Sequence, residues 1–210
     1  MEELRYFTVM FDLLTALLDS WTLWANIAGD YAVAKKWRLK YLQLAYGQGV
    51  YRPYEELITL AAKETGLPPS CTDRLVKNWK KLKPWVEVNE VLTELKKHVP
   101  LAVVTNCSEV LGQQAADFCG VKFDVVVTAE RAGFYKPNPA PYTLAIRELG
   151  IEPKKVLYVS GSAYDIPGAI GVGMDVFWHN RIGMAKPEKM PEPVITTASL
   201  LPLKEFIWKS

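Results

Sequence analysis

Polar side chains that could carry chemistry follow four apolar runs of the sequence. The runs have the length and residue types of buried strands, as in the stretch 7–11 that leads into Asp12. In an open parallel sheet the carboxyl ends of the strands meet at one edge, where ligands bind. Carboxylate, hydroxyl, amide and ammonium groups gathered at such an edge could bind a ligand or act on it. The polar groups are Asp12; Thr105 and Asn106; Lys136; and Ser160, Ser162 and Asp165.

Each of these groups also has an interpretation that involves no chemistry. Asp12 precedes further apolar residues and could cap a helix. Thr105 and Asn106, which follow the second apolar run, could form a turn. Lys136 could be a solvated lysine in an exposed loop, and the serines after the last run could cap the next helix. Coincidence at all four strand ends is a weaker explanation than a common site, so the joint pattern favours a site.

The order of the predicted elements indicates an α/β fold. From residue 87 onward amphipathic helices alternate with buried strands. The strands are predicted at 101–104, 123–128, 156–159 and 176–178, with an edge strand at 194–197, and the helices at 88–97, 110–118, 141–149 and 164–170. This alternation predicts a doubly wound, three-layer (Rossmann-like) parallel sheet flanked by helices.

Residues 20–85 have no strand-like run and carry aromatic residues at helical spacing, such as Trp21, Trp24 and Trp37. Proline and glycine divide this stretch into four predicted helices. We therefore predict two domains: an α/β core domain of residues 1–19 and 86–210, and a helical cap domain of residues 20–85 that covers the carboxyl ends of the strands.

Composition limits the classes of partner. The net charge is +2, with 25 Lys and Arg residues and 23 Asp and Glu residues, which gives no reason to expect nucleic acid or membrane partners. The start Met-Glu-Glu has the wrong charge for a secretory signal, and no apolar run reaches the length of a membrane span. The 3 cysteines lack metal-ligand spacing, which favours free thiols in a reducing cytoplasm. A homodimer is left open.

The order of these motifs resembles the haloacid dehalogenase superfamily, and the resemblance covers nearly the whole chain. Phosphatases of that superfamily have acidic residues where this chain has Leu14 and Ser160. The stretch 11–19 is instead similar to the first motif of the L-2-haloacid dehalogenase branch. The stretches Trp37-Arg-Leu-Lys40 with Leu42, Lys136-Pro-Asn-Pro139 with Tyr142, Ser160-Gly-Ser-Ala-Tyr-Asp165 and Trp178-His-Asn-Arg181 also match that branch.

The resemblance implies roles in the hydrolysis of a small 2-haloalkanoic acid through an aspartyl ester. Asp12 is expected to be the nucleophile, with Lys136 paired to it. Ser160 and Asp165 are expected to fix Lys136 and the hydrolytic water. The substrate is expected to lie among Leu14, Arg38, Leu42, Thr105, Asn106, Tyr142 and Ser162: Arg38 and Asn106 would hold the halide, Thr105 the carboxylate, and Leu42 and Tyr142 would shape the pocket.

No metal or other cofactor is expected. A departing halide needs no proton, so the acid absent at Leu14 is not required, and Ser160 removes an oxygen ligand that Mg²⁺ prefers. Leu14, Ala16 and Ser162 differ from residues common in the branch, which bears on the substrate more than on the fold. Two alternatives remain: a phosphatase of the same superfamily, which would require Mg²⁺, and a catalytically weak relative that binds a small acid.

Overall fold

A six-stranded parallel sheet with strand order β3-β2-β1-β4-β5-β6 forms the centre of the molecule. The computed structural model describes residues 3–209. The strands are β1 (Thr8–Phe11), β2 (Leu101–Thr105), β3 (Val125–Thr128), β4 (Val156–Ser160), β5 (Asp175–His179) and β6 (Ile195–Thr197). All five neighbouring pairs are parallel, which confirms the predicted sheet.

Helices connect the strands and cover both faces of the sheet. They are α1 (Ser20–Ala28), α2 (Tyr31–Gln48), α3 (Tyr54–Glu64), α4 (Ser70–Lys77), α5 (Val88–Leu95), α6 (Glu109–Asp117), α7 (Ala129–Ala132), α8 (Pro139–Leu149), α9 (Ile166–Gly171) and α10 (Leu203–Phe206). Successive strand side chains point to opposite faces, so Val9 and Phe11 join one apolar cluster and Met10 the other. The first cluster contains α5, α6 and α10, and the second contains α8 and α9, which gives the predicted three layers.

Helices α1–α4 fall within the stretch 20–85 that was predicted to be helical. Their aromatic residues pack together, with the ring centroids of Trp24 and Trp37 4.3 Å apart. Helix α2 reaches the carboxyl edge of the sheet, where the Tyr41 hydroxyl donates to the carbonyl of Asn106 at 2.8 Å. The division of the chain into a cap domain and a core domain stays a prediction.

The central strand β1 lies at the topological switch of the sheet. The chain leaves β1 for β2 on one side and later returns to β4 on the other side. In open α/β sheets this arrangement creates a crevice beyond the carboxyl ends of the central strands. The turn after β4 closes one wall of this crevice, because a Cβ atom at Gly161 would lie only 2.2 Å from the Ala16 nitrogen. Glycine thus lets the segments that follow β1 and β4 approach each other.

The structure differs from the predicted elements at several points; for example, the short helix α7 follows β3 where none was predicted. Strand β3 begins at Val125 rather than at residue 123, because the Asp124 carboxylate accepts the Leu101 N–H at 2.8 Å and ends the regular pairing there. The helix predicted from residue 164 is preceded by a 3-10 turn at Ala163–Asp165. The short helix α10 was not predicted. Within residues 3–209, no helix combines the length and apolar character needed to cross a membrane.

Candidate active site

Asp12 directly follows β1, and the residue is 4% exposed. Its Oδ2 atom accepts the Thr15 N–H at 3.0 Å, the Thr15 hydroxyl at 2.5 Å and the Ala16 N–H at 3.2 Å. The two backbone contacts are of the capping type. Its Oδ1 atom accepts a hydrogen bond from Lys136 Nζ at 2.9 Å, a contact that a cap would not need.

Lys136 is a fully buried cation whose three N–H groups all have acceptors. Its Nζ atom lies 2.9 Å from Asp12 Oδ1, 3.0 Å from Asp165 Oδ1 and 2.9 Å from the Tyr158 hydroxyl. Burial opposes the charged forms, but the ion pairs outweigh it: the pKa of Asp12 is held below its ordinary value and the pKa of Lys136 above its own. Asp12 is therefore ionised at neutral pH.

Asp165 is the second buried carboxylate of the cluster. Its Oδ1 atom contacts Lys136 and accepts the Tyr46 hydroxyl at 2.7 Å. Burial raises the pKa of Asp165 to about 6, with Lys136 acting against the shift and the charge of Asp12 adding to it. A carboxylate with this pKa is mostly ionised at pH 7 and can still accept a proton, as a general base requires.

Arg38 lies on α2 and is 1% exposed. Its guanidinium is 4.9 Å and 5.0 Å from the ring centroids of Trp21 and Trp24. One nitrogen contacts the Leu14 carbonyl at 3.4 Å, while Nε and Nη1 have no hydrogen-bond partner among the residues that the structure describes. Burial lowers the pKa of Arg38, and no carboxylate pairs with it within residues 3–209. The guanidinium therefore has donors available for an anion.

A small cavity lies between Arg38 and Asp12. Its volume is about 10 Å³, about the space of one water molecule and far less than the pockets that hold drug-sized ligands. The Thr105 hydroxyl is buried and has no partner among the described residues, so it too is available to a ligand. The cavity is lined by Asp12, Leu14, Thr15, Arg38, Tyr41, Leu42, Tyr46, Thr105 and Asn106.

Four predicted residues make contacts that differ from their expected roles. Asn106 lines the cavity, but its amide bonds the backbone of Lys136 in both directions, at 2.7 and 3.2 Å, so only one N–H remains for a halide. Ser160 does not contact Lys136, because its hydroxyl donates to the Ser162 carbonyl at 2.5 Å.

The other two lie outside the cavity lining. The Ser162 hydroxyl accepts the N–H of residue 164 and caps the 3-10 turn. The Tyr142 hydroxyl donates to the backbone carbonyl of Asp165 at 3.2 Å, and its expected role in shaping the pocket stays a prediction.

Sequence reasoning missed Thr15, Tyr41, Tyr46 and Tyr158. The sequence contains a signal for two of them, Tyr46 and Tyr158. Tyr46 is eight residues after Arg38, so it shares a helix face with it. Tyr158 is two residues before Ser160, so it shares a face of β4 with it. Neither signal identifies the hydrogen-bond partner of the tyrosine hydroxyl, because that partner lies on another element.

The site does not fit the Mg²⁺ ion that superfamily phosphatases use. Among residues 3–209 no three His, Cys, Asp or Glu side chains are grouped as metal ligands require. The Lys136 ammonium lies between the two carboxylates, at 2.9 and 3.0 Å, where a cation would bridge them. We therefore derive no step through a metal.

Comparisons with known proteins identify the family of the chain. The model of the haloacid dehalogenase-like hydrolase family matches residues 9–179. The chain is 31% identical over 199 residues to (S)-2-haloacid dehalogenase 2 of Pseudomonas sp. (strain CBS-3), covering 86% of each protein. It is also 31% identical over 172 residues to haloacetate dehalogenase H-2 of Moraxella sp. (strain B), covering 76% of this chain and 77% of that protein.

A solved structure is similar over the whole length. The crystal structure of a dehalogenase superimposes with a TM-score of 0.84 at 25% identity, covering 100% of both chains. The similarity thus extends through the helices between β1 and β2 as well as the sheet.

Proposed function

The chain belongs to the haloacid dehalogenase-like hydrolases, and on that premise we propose that it releases halide from a small 2-haloalkanoic acid through an ester with Asp12. One observation carries the proposal. A buried, ionised carboxylate faces a small cavity that also contains a buried guanidinium with two unpartnered nitrogens, among the residues that the structure describes. A carboxylate nucleophile and a site for a departing anion are the two groups that this displacement requires.

In the first step, Asp12 Oδ1 attacks C2 of the substrate. The carbon–halogen bond breaks, and its electron pair leaves with the halide toward Arg38. Oδ1 is the nucleophilic atom because Oδ2 already accepts three hydrogen bonds, whereas Oδ1 accepts one, from Lys136. The Thr105 hydroxyl donates to the substrate carboxylate. Water-free surroundings strengthen these charge contacts.

In the second step, water attacks Cγ of Asp12 while Asp165 accepts one of its protons. Negative charge develops on Oδ2, which the N–H groups of Thr15 and Ala16 and the Thr15 hydroxyl already face. These donors therefore act as an oxyanion hole, a feature that often contributes several kcal/mol. The intermediate expels the 2-hydroxy acid, which takes its proton from Asp165. The net reaction consumes one water and yields a 2-hydroxy acid, a halide and a proton.

Isotope labelling tests this route. A single turnover in H₂¹⁸O should place ¹⁸O in the carboxylate of Asp12 and leave the product oxygen unlabelled. Asp12→Asn should lower halide release by at least about a thousandfold, because an amide is a poor nucleophile. The matched control is Asp19→Asn, which changes the N-cap of α1 to another good capping residue and should leave the rate unchanged. Label in the product alone, or near wild-type activity of Asp12→Asn with deamidation excluded by mass spectrometry, would refute the assignment.

The absence of a metal requirement is part of the proposal. Halide release should survive exhaustive EDTA treatment and gain nothing from added Mg²⁺, since Lys136 supplies the positive charge beside both carboxylates. Loss of activity on chelation, restored by Mg²⁺ and accompanied by phosphate release from phosphate esters, would favour the phosphatase alternative. Binding of a small acid without any turnover would favour the binding-protein alternative.

The cytoplasm is the proposed location. All three cysteines, Cys71, Cys107 and Cys119, are buried and free, which suits a reducing compartment.

A further inference from the structure

Helix α2 spans the cavity and places three side chains along it. Arg38, Leu42 and Tyr46 follow one another at intervals of four residues, so they share one face of the helix. At a rise of about 1.5 Å per residue, Arg38 and Tyr46 are separated by about 12 Å along the helix axis. All three side chains belong to the cavity lining.

The Tyr46 end of α2 makes a direct contact with the carboxylate cluster. Its hydroxyl donates to Asp165 Oδ1 at 2.7 Å, a short bond to a fully buried carboxylate. The ring packs against Tyr164, with centroids 5.2 Å apart. Burial of the hydroxyl and the nearby charge of Asp165 raise the pKa of Tyr46 well above its ordinary value, so the proton needed for this hydrogen bond is retained.

The contacts of Asp165 leave one of its oxygens available. Oδ1 is bound by both Lys136 and Tyr46. The nearest hydrogen-bonding side chain to Oδ2 is Ser160, at 3.4 Å, whose single proton points to the Ser162 carbonyl. Within the described residues, Oδ2 is therefore the atom that can accept a proton from water.

We propose that Tyr46 is a positioning residue for ester hydrolysis: its hydroxyl fixes Asp165 so that Oδ2 receives the proton of the attacking water. This inference rests on the proposed function. Because Tyr46 and Arg38 belong to one continuous helix, the same element positions the group that would receive the halide and the group that binds Asp165. Tyr46 touches no reacting atom and acts through Asp165.

Removal of the hydroxyl should also change the proton affinity of Asp165. A donor to the ionised form lowers the pKa, so its loss raises it. Lys136 remains on another element that faces Asp165 and continues to favour the ionised form, while Ser160, which also faces Asp165, directs its proton to the Ser162 carbonyl. The charge of Asp12 continues to oppose the ionised form, and the Tyr142 and Tyr158 hydroxyls are neutral at working pH because burial raises their pKa values. The acidic limb of the hydrolytic step should then move upward by about one pH unit, the size expected for one hydrogen bond to a charged group.

The test compares Tyr46→Phe with Tyr31→Phe. Both variants remove one hydroxyl from α2, but Tyr31 is 59% exposed and far from the cavity along the helix. With chloroacetate as the probe, Tyr46→Phe should show a burst of chloride release. Hydrolysis after the burst should be about tenfold slower, and mass spectrometry should detect the accumulated ester on Asp12. Tyr31→Phe should match the wild type in all three measurements.

A carboxyl-carbon NMR titration without substrate provides a readout that needs no turnover. The pKa of Asp165 should be higher in Tyr46→Phe than in the wild type and unchanged in Tyr31→Phe. Equal slowing of both chemical steps, an unshifted pKa, or a Tyr46→Phe variant that does not fold would each overturn the proposal in favour of a purely structural role. If the wild type releases no halide, but the pKa of Asp165 is still higher in Tyr46→Phe than in the wild type, the proposed function is refuted. The coupling between Tyr46 and Asp165 is then retained.

Discussion

Two buried cations belong to the candidate site, and their surroundings differ: Arg38 lines the cavity, whereas Lys136 lies outside its lining and is paired with Asp12. Lys136 donates to two carboxylates and one hydroxyl, all within 3.0 Å. Arg38 makes one long contact to a carbonyl, at 3.4 Å, and otherwise lies against the faces of Trp21 and Trp24. The charge of the lysine is compensated by the protein itself. The charge of the arginine is compensated only when an anion enters the cavity.

The difference distinguishes Lys136, which holds the carboxylates of the site together, from Arg38, which has donors available for a ligand. A buried charge without a partner is unfavourable, because burial removes its hydration and the contacts made here replace little of it. An entering anion would relieve that penalty, so the unfavourable state of Arg38 in the free protein favours binding. Lys136 stores no such penalty and is not available to a ligand.

The largest effect is expected from Lys136→Met. Removal of the ammonium leaves Asp12 and Asp165 buried beside each other, which should lower the free energy of unfolding by about 3–5 kcal/mol. Turnover should fall by at least about a thousandfold, since the nucleophile loses the charge that keeps it ionised. Urea unfolding and halide release measure the two effects. Lys35→Met, an exposed change on α2, is the control and should alter neither.

Arg38→Met should separate the effect on turnover from the effect on stability. Turnover should fall by about a hundredfold or more, because a halide no longer has a cation to receive it, while the free energy of unfolding should stay within about 1 kcal/mol of the wild type. Arg38→Lys should also be impaired, because an ammonium is more strongly hydrated and lacks the planar fork. Unchanged kcat/KM in Arg38→Met, or a loss of stability as large as that of Lys136→Met, would remove the distinction between the cations.

Halide binding sharpens the same distinction. Bromide added to the wild type should raise the unfolding temperature beyond the effect of an equal concentration of fluoride, by about 2–4 °C for each kcal/mol of binding. The bromide effect should disappear in Arg38→Met. A bromide effect that persists in this variant would mean that the anion binds elsewhere.

The smallest effect concerns pH. Asp165 must be ionised to accept a proton, and its pKa is about 6. Turnover limited by hydrolysis should therefore be retained above pH 6 and fall about tenfold per unit well below it. The residual activity of Arg38→Met should show the same limb, because the charged groups that shift the pKa of Asp165 are Lys136 and Asp12. A displaced acidic limb in the pH profile of Arg38→Met would show that Arg38 and Asp165 are electrostatically coupled.

Much of the fold could be predicted because it depends on local pattern. The apolar runs before Asp12, Thr105 and Ser160 are long enough to be strands, and helical spacing identifies the covering layers. The start of β3 could not be predicted, because it depends on a side chain of Asp124 that binds a neighbouring strand.

The site was predictable where a residue follows a strand and its chemistry is recognisable from its type. Asp12, Lys136 and Asp165 meet both conditions. Tyr46 and Tyr158 do not, since a tyrosine at helical or strand spacing is usually a packing residue, and its hydroxyl partner is decided by tertiary contact. Asn106 shows the converse: its type suggested a ligand contact, whereas its amide binds the backbone of Lys136.

The contacts around Lys136 also determine when the candidate site can form in a nascent chain. The contact between Lys136 and Asp12 spans 124 residues, and that between Tyr46 and Asp165 spans 119. During synthesis Asp12 and Arg38 emerge long before either partner, and contacts of such separation form slowly because large loops must close first. The first half of the chain thus contains Asp12 and Arg38 before Lys136 and Asp165 have been made. Activity arises only when β4 joins β1 and brings Asp165 to Lys136.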